Sequence, residues 1–325
     1  MQRNLLLKSI FSALIGVGCL VSNGVMAFDI NEDVSMSGLV EAEAGYSTNA
    51  SDIVTATVEL GIDAKINDRV SSSVVFLHEE DSDAAFGVDV AVISLDLSGS
   101  GNLMFDMGQM YVPFGVFETN LVSDPLTLEI GEINESAVQV RYETGGLYGS
   151  LYTFNGDTQT NQDVVENYGF NLGYAQENLD LNLSYISSIG DADGFDAAGL
   201  GLDNADYVSA IGLSGVYSSG PVTMIAEYIK TAQFDQANIA FENAGAEISA
   251  LNAELAYALS DNVTIAAAYQ ATEEADVLGL AESRIAMAVS TTIYDGAGLA
   301  IEYAKDSAYD ESDSSTLTIQ LAAEF

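Results

Sequence analysis

The feature that most constrains the fold of this chain is a polar–apolar alternation with a period of two, repeated over many short segments. Leu179-Asp-Leu181-Asn-Leu183-Ser-Tyr185 places every apolar side chain on one face and every polar one on the other. The same dyad runs through residues 54–64, 167–174, 222–228, 299–303 and 316–325. An amphipathic helix repeats every 3.6 residues and cannot produce this pattern; a strand with two different faces does. Beyond residue 27 the longest uncharged stretch, 208–226, is interrupted by Ser218-Ser219-Gly220-Pro221, so no helical membrane span is expected there.

Alternation alone fits either a soluble β-sandwich or a membrane barrel, and strand number and spacing separate the two. Sixteen segments alternate, near residues 34–46, 52–64, 70–78, 86–97, 102–108, 136–143, 147–155, 167–175, 179–186, 207–217, 221–229, 246–258, 263–270, 282–291, 298–304 and 316–325. Their connections are alternately short and long, the pattern of a barrel with tight turns at one end and loops at the other. Tyr142, Tyr174, Tyr217, Tyr257 and Tyr294 fall near the short turns, and Tyr46, Tyr185, Tyr228, Tyr269 and Tyr303 near the long loops. Two such aromatic girdles suit the two interfaces of a bilayer. The chain ends on Leu317, Ile319, Leu321, Ala323 and Phe325, an apolar alternation closing on the terminal aromatic that outer-membrane barrels present to the assembly machinery. Closure leaves no unpaired strand edge in a solvent without water. The expectation is an all-β fold: a 16-stranded antiparallel transmembrane barrel of the outer-membrane porin kind.

The N-terminus agrees with export. Arg3 and Lys8 make a short positive region ahead of a nearly all-apolar run at residues 10–20, and Val25-Met26-Ala27 offers a small-residue cleavage site. A signal peptide over residues 1–27 and a barrel over 28–325 are expected, in the outer membrane of a Gram-negative cell. Removing residues 1–27 deletes Arg3 and Lys8 and no acid, so the net charge moves from −41 to −43. An acid excess of that size excludes a nucleic-acid partner, which requires a cationic footprint. The single Cys and single His exclude a Cys/His zinc site, and no cofactor is expected. No Ser–His pair at a readable spacing suggests hydrolysis; Gly99-Ser100-Gly101 sits in a short turn, and His78, at a strand end, reads as an interface residue.

A ring of sixteen strands is too wide for wall side chains to fill, so an aqueous lumen narrowed by an inserted loop is expected. The longest connection, residues 109–135, is the candidate. It holds two of the three prolines, and its site residues are Tyr111, Pro113, Phe114, Gly115, Glu118, Thr119, Asp124, Pro125, Thr127, Glu129 and Glu135. Here the sequence resembles the LbtU-type siderophore porins. The resemblance lies in Tyr111-Val-Pro113-Phe114-Gly115, Glu118-Thr119, Ser123-Asp124-Pro125-Leu126-Thr127, Gly131-Glu132 and Glu135-Ser136-Ala137-Val138. It covers about thirty residues; elsewhere only the alternation is shared. It implies passage of an iron–siderophore across the outer membrane without a plugged, energy-coupled architecture.

With apolar residues turned to lipid, Glu41, Glu43, Glu59, Asp63, Arg141, Glu143, Asp180, Asn182, Glu227, Glu254, Arg284 and Glu302 turn inward. Glu41, Glu59, Glu227 and Glu254 are then pore-lining acids. Arg141 and Arg284 are a sparse cationic counterweight that would pair with Glu118, Asp124 or Glu129 on the loop. Carboxylates around a pore favour cations and oppose a polycarboxylate siderophore. The acidic stretches at 191–196 and 306–313 read as solvated outer loops. Partners expected are outer-membrane lipid, the barrel assembly machinery through Phe325, an iron–siderophore and two further copies in a homotrimer. A general cation-selective porin and a structural or adhesive surface barrel remain the alternatives.

Overall fold

The computed structural model describes residues 28–48, 50–80, 86–156, 164–197, 207–234 and 245–325; the expected signal peptide at 1–27 lies outside them. A short arm, β1 (Phe28–Asn31), precedes sixteen barrel strands. These are β2 (Val34–Ser47), β3 (Ser51–Asn67), β4 (Val70–His78), β5 (Gly87–Asp96), β6 (Leu103–Tyr111), β7 (Asn134–Thr144), β8 (Leu147–Asn155) and β9 (Asn167–Gln176). They continue as β10 (Leu179–Ile186), β11 (Ala210–Ser219), β12 (Val222–Thr231), β13 (Ser249–Ser260), β14 (Val263–Glu273), β15 (Ser283–Tyr294), β16 (Ala297–Ser307) and β17 (Asp313–Glu324). All sixteen coincide with segments marked from the alternation, and no end is displaced by more than three residues. Each strand pairs antiparallel with its sequence neighbours, and β17 returns to β2 to close the ring.

β1 was not anticipated, and its reason is the stagger at the seam. β17 pairs with β2 only from Leu39 to Ser47, and the Phe325 backbone then bonds Gly38 in both directions at 2.8 and 3.0 Å. That leaves the first residues of β2 with an open edge, which β1 covers, Phe28 opposite Met36 and Asp29 opposite Ser35. The Phe325 ring lies over Gly38: a Cβ there would fall 2.3 Å from a ring atom. A residue without a side chain thus seats the C-terminal aromatic.

The outer face is the apolar half of the dyad. Met224, Leu255, Met287, Val289, Ile319 and Leu321 are exposed around the wall, as are Tyr142, Tyr174, Tyr217, Tyr257 and Tyr294 at one rim and Tyr46, Tyr269 and Tyr303 at the other. That band matches a hydrocarbon layer flanked by two interfaces.

The inner face departs from the expectation of a broad aqueous lumen. Toward the long-loop ends of β7–β13, inward positions become apolar: Ala137, Tyr152, Phe154, Ile186, Ala210 and Ile229 are buried. Loop residues Phe114, Phe117, Ile130, Ile189, Phe195 and Phe234 pack against them in one hydrophobic cluster. Opposite walls of so wide a ring cannot touch, so loops fold in to bury those inward apolar side chains. The stretch around 191–196 accordingly corrects the reading of a solvated outer loop: Ala192 and Phe195 are buried, and Phe195 stacks on Phe234 at 5.7 Å.

Candidate functional site

The connection between β6 and β7 is the inserted element, here loop 3, and it runs from residue 112 to 133. Tyr111 and Glu135, expected within it, instead belong to the barrel wall, because the ladder continues through Tyr111↔Asn134 and Met110↔Glu135. That extension is fixed by Asp89, which accepts from the Tyr111 hydroxyl at 2.9 Å and from Asn134 Nδ2 at 2.8 Å. Val112 N–H donates to the Ile133 carbonyl at 3.0 Å and closes the loop's neck. Pro113 then turns the chain, Phe114 is buried in the hydrophobic cluster, and Gly115 takes a φ of +76° where a Cβ would strike the Phe117 ring. Pro125 leads into a single helical turn, α1 (Leu126–Glu129).

The loop is held to the far wall by carboxylates. Glu227 of β12 accepts from Val116 N–H (2.7 Å), Phe117 N–H (3.2 Å) and the Thr127 hydroxyl (2.8 Å). Glu254 of β13 accepts from Asn120 N–H (2.9 Å), Asn120 Nδ2 (2.7 Å) and the Thr119 hydroxyl (2.7 Å). Glu302 of β16 accepts from Val122 N–H (2.5 Å), Ser123 N–H (3.1 Å) and the Ser123 hydroxyl (2.6 Å). Gly115 N–H adds a bond to Ser184 Oγ and Leu126 N–H one to Gln270 Oε1. A segment with almost no secondary structure must place its backbone donors somewhere, and here acceptor-only side chains of the wall take them. Leu121 completes the seat on small residues of the wall: Ala256, Ala266, Ala268, Ala286, Ala288 and Ala304.

This geometry changes the reading of several residues. Glu227 and Glu254 turn inward as expected, but at 3% and 5% exposure they lie beneath the loop rather than against open water. Glu41 is likewise sealed, whereas Glu59 remains partly accessible. Both arginines form their salt bridges with wall acids, and only Arg284 also acts on the loop. Arg141 pairs with the wall acid Asp106 at 2.7 Å, and Asp106 also accepts from Ser94 Oγ at 2.5 Å. Arg284 pairs with Asp306 at 2.7 Å, donates to the Asp124 carbonyl of the loop at 3.3 Å and acts electrostatically on Glu129. The physical reason is register: Asp106 and Asp306 sit on neighbouring strands, closer than any loop carboxylate.

The loop's remaining face is acidic. Burial, reinforced by Glu129, Glu79, Glu41 and Glu43, pushes the Asp124 carboxyl up to about 7. Burial beside Asp193, Asp124 and Asp89 pushes Glu132 up to about 9. Glu118 is raised by burial and by Asp180 and Glu254; Glu129 is raised by burial while Arg284 offsets part of the shift. The wall opposite carries Glu41, Glu43, Glu59 and Asp63. At the short-turn end a cavity of about 330 Å³ opens between β1 and the wall, lined among others by Asp29, Asp33, Asp63, Ser73, Asp106 and Arg141. Gln270, Ser184, Asp106 and the bulged Asp89 were not singled out from the sequence; each gains its role from a cross-strand neighbour that alternation alone does not specify.

No protein-family model matches the chain. It is 31% identical over 229 residues to a UPF0422 protein of Coxiella burnetii, covering 65% of this chain and 49% of that one. It is 26% identical over 316 residues to a UPF0422 protein of Legionella pneumophila, covering 85% and 59%. The chain thus spans about half to three-fifths of the length of these relatives. Among solved structures it superposes on Salmonella typhi OmpF in complex with daunomycin with a TM-score of 0.68, at 12% identity over 92% of this chain and all of that one. A loop-deletion mutant of OmpT, an outer membrane protein of Vibrio cholerae, gives 0.62 at 14% identity over 90% and 99%. The architecture is that of outer-membrane porins.

Proposed function

We propose that the protein is a passive channel for small hydrophilic solutes in the outer membrane of a Gram-negative cell, and that it prefers cations. The observation that carries this reading is the charge on the two sides of the passage left by loop 3. Glu129 and a half-ionised Asp124 lie on the loop, Glu59 and Asp63 on the wall, and Arg141 and Arg284 are already engaged by Asp106 and Asp306, while Glu132, raised to about 9, is protonated at neutral pH. Fixed carboxylates in a confined lumen raise the local concentration of cations and exclude anions. Reconstitution in a planar bilayer under a KCl gradient tests it: the reversal potential takes the sign of potassium selectivity, and anion preference would refute it. Assembly as a homotrimer and recognition of Phe325 by the barrel assembly machinery belong to the same reading.

A second, narrower reading follows from the stretch that resembles siderophore porins, whose Phe114, Gly115, Thr119, Asp124 and Thr127 help to seat the loop. On this reading the solute is an iron–siderophore, and the acidic passage restricts it to chelates that are neutral or cationic. Neither the names of the relatives nor those of the superposed porins mention iron. Growth of a deletion strain under iron limitation, fed a cationic or a polyanionic ferric chelate, separates the readings: rescue by the wild-type gene with the cationic chelate alone supports passage through this lumen.

A further inference from the structure

The cavity of about 330 Å³ beside β1 brings three unlike surfaces together. Its size falls at the lower end of the range of small-molecule sites, about 300–1,000 Å³. Gln139 and Arg141 of β7 line one side. Arg141 commits its Nε to Asp106, and its two terminal nitrogens have no hydrogen-bond partner among the described residues. The Gln139 amide has none either. Asp106 thus balances the charge of Arg141 but leaves most of its planar fork open. That fork matches a carboxylate, which can take two parallel N–H bonds from it.

The other side is acidic. Asp63 of β3 is half-buried beside Ser73, and Asp29 of β1 and Asp33 of the turn after it are exposed. Lys65, the second base of the lining, pairs with Asp68 at 2.8 Å, so no described base answers these three carboxylates. Between the two sides, on β5 and β6, the floor is apolar: Val90 and Met110 are buried and Val92 partly so. A simple anion would meet the unbalanced acids, and a simple amine would leave the guanidinium fork unanswered. A sugar would fill hydrogen bonds but not match two separated charges joined by an apolar strip. A solute with a carboxylate at one end, an ammonium at the other and methylenes between them fits the whole lining.

We propose that this cavity binds a basic amino acid, with its carboxylate on the Arg141 fork, its α-ammonium on the Gln139 amide oxygen, its stem over Val90, Val92 and Met110, and its side-chain cation toward Asp63, Asp29 and Asp33. The assignment rests on the channel reading for the arrival of the solute, and it narrows the substrate class to small cations that also carry a carboxylate. Arg141 then discriminates among cations, a task that its pairing with Asp106 leaves open.

Equilibrium dialysis of radiolabelled L-lysine against the whole chain folded in detergent, at neutral pH, tests this. One saturable site is expected. Lysinamide, which lacks the carboxylate charge, and Nε-acetyllysine, which lacks the side-chain charge, should each bind more weakly by about tenfold or more, the worth of one charge-assisted hydrogen bond. Arg141→Lys keeps a cation for Asp106 but has no fork; it should weaken L-lysine by the same factor and leave lysinamide unchanged. Asp63→Asn should weaken both, and Asp310→Asn in an outer turn neither. Heat-modifiable migration on gels shows whether each variant closes its barrel, and the comparison of L-lysine with lysinamide on the unmodified protein holds whether or not the variants fold. Absence of saturable binding, equal affinity for L-lysine and lysinamide, or an equal loss for both in Arg141→Lys would each overturn the proposal. A barrel that passes potassium but does not bind L-lysine refutes this site alone; one that binds L-lysine without conducting refutes the channel and leaves the site standing.

Discussion

Replacing Glu302 by Gln isolates one of the three fastenings of loop 3. The carboxylate accepts three donors, from Val122 N–H, Ser123 N–H and the Ser123 hydroxyl, all within 3.1 Å. Glutamine keeps the length and shape but offers one acceptor oxygen and puts an NH₂ where the other was, so at least one donor faces another donor. Hydrogen bonds to a charged acceptor are worth about 1.5–3 kcal/mol each, and the three are not additive because they share one side chain. A net loss of about 2–3 kcal/mol for the local seat is expected, equivalent to about 30- to 150-fold in its opening equilibrium. Leu121 on its alanine floor and the bonds to Glu227 and Glu254 are untouched, so the loop stays inside and only its tip loosens. Hydrogen–deuterium exchange of the folded barrel reads this directly. The amides of Val122 and Ser123 lose protection by that factor, while those of Val116 and Phe117, bonded to Glu227, change little. Unaltered protection at 122 and 123, or an equal loss along the whole of residues 115–127, would show that the carboxylates do not hold the loop independently.

Three further perturbations test other parts of the structure. Asp124 and Glu132 titrate near 7 and 9 rather than near 4, so the seated loop favours their protonated forms. Their contribution to seating is complete at low pH and is lost as pH rises from the ordinary carboxylate range through 7 and then 9. The cation-to-anion permeability ratio should therefore rise between pH 5 and pH 9; a ratio that stays flat or falls over that window counts against the assignment. Gly38→Val places a side chain where the Phe325 ring lies and should lower the yield of heat-modifiable barrel, with Phe325→Ala in the same chain restoring part of it. Arg141→Ala strips Asp106 of its cation while leaving it buried, at a cost of about 3–5 kcal/mol. Thermal unfolding of the Arg141→Ala/Asp106→Ala pair should recover most of that loss, and a double variant no more stable than the single one would contradict it.

What the sequence made legible follows from what a dyad encodes. Alternation declares which residues share a face, so the sixteen strands, their order and the inward orientation of Glu227, Glu254 and Glu302 could all be read in advance. It does not declare which residue on the next strand stands opposite, and the pairing of Arg141 with Asp106 depends on that register. The dyad also hides the apolar interior: Phe154 and Ile229 alternate as regularly as their lipid-facing neighbours. Only the inserted loop distinguishes a face buried against protein from one dissolved in lipid. The loop itself was marked by Pro113 and Pro125 and by its length. Its attachment was missed because its donors are largely backbone N–H groups, which leave no trace in the identity of residues 115–127.

That last point separates two roles for the acidic residues. A carboxylate that gathers backbone donors holds the loop whatever side chains the loop carries, so Glu227, Glu254 and Glu302 serve geometry, and their charge is largely hidden from a passing ion. Glu59 and Asp63 gather no loop donors and face the passage, so their charge acts on the ions themselves. The two roles predict opposite outcomes for the same chemical change. Glu59→Gln/Asp63→Asn should lower potassium selectivity while amide exchange in residues 115–127 stays as in the unmodified protein. Glu227→Gln/Glu254→Gln should expose those amides and alter the conductance through a displaced loop, with selectivity following the new cross-section rather than the two lost charges. If both pairs shift selectivity equally and neither changes exchange, the division between fastening and filtering acids fails, and the lumen carboxylates would have to act as one undifferentiated field.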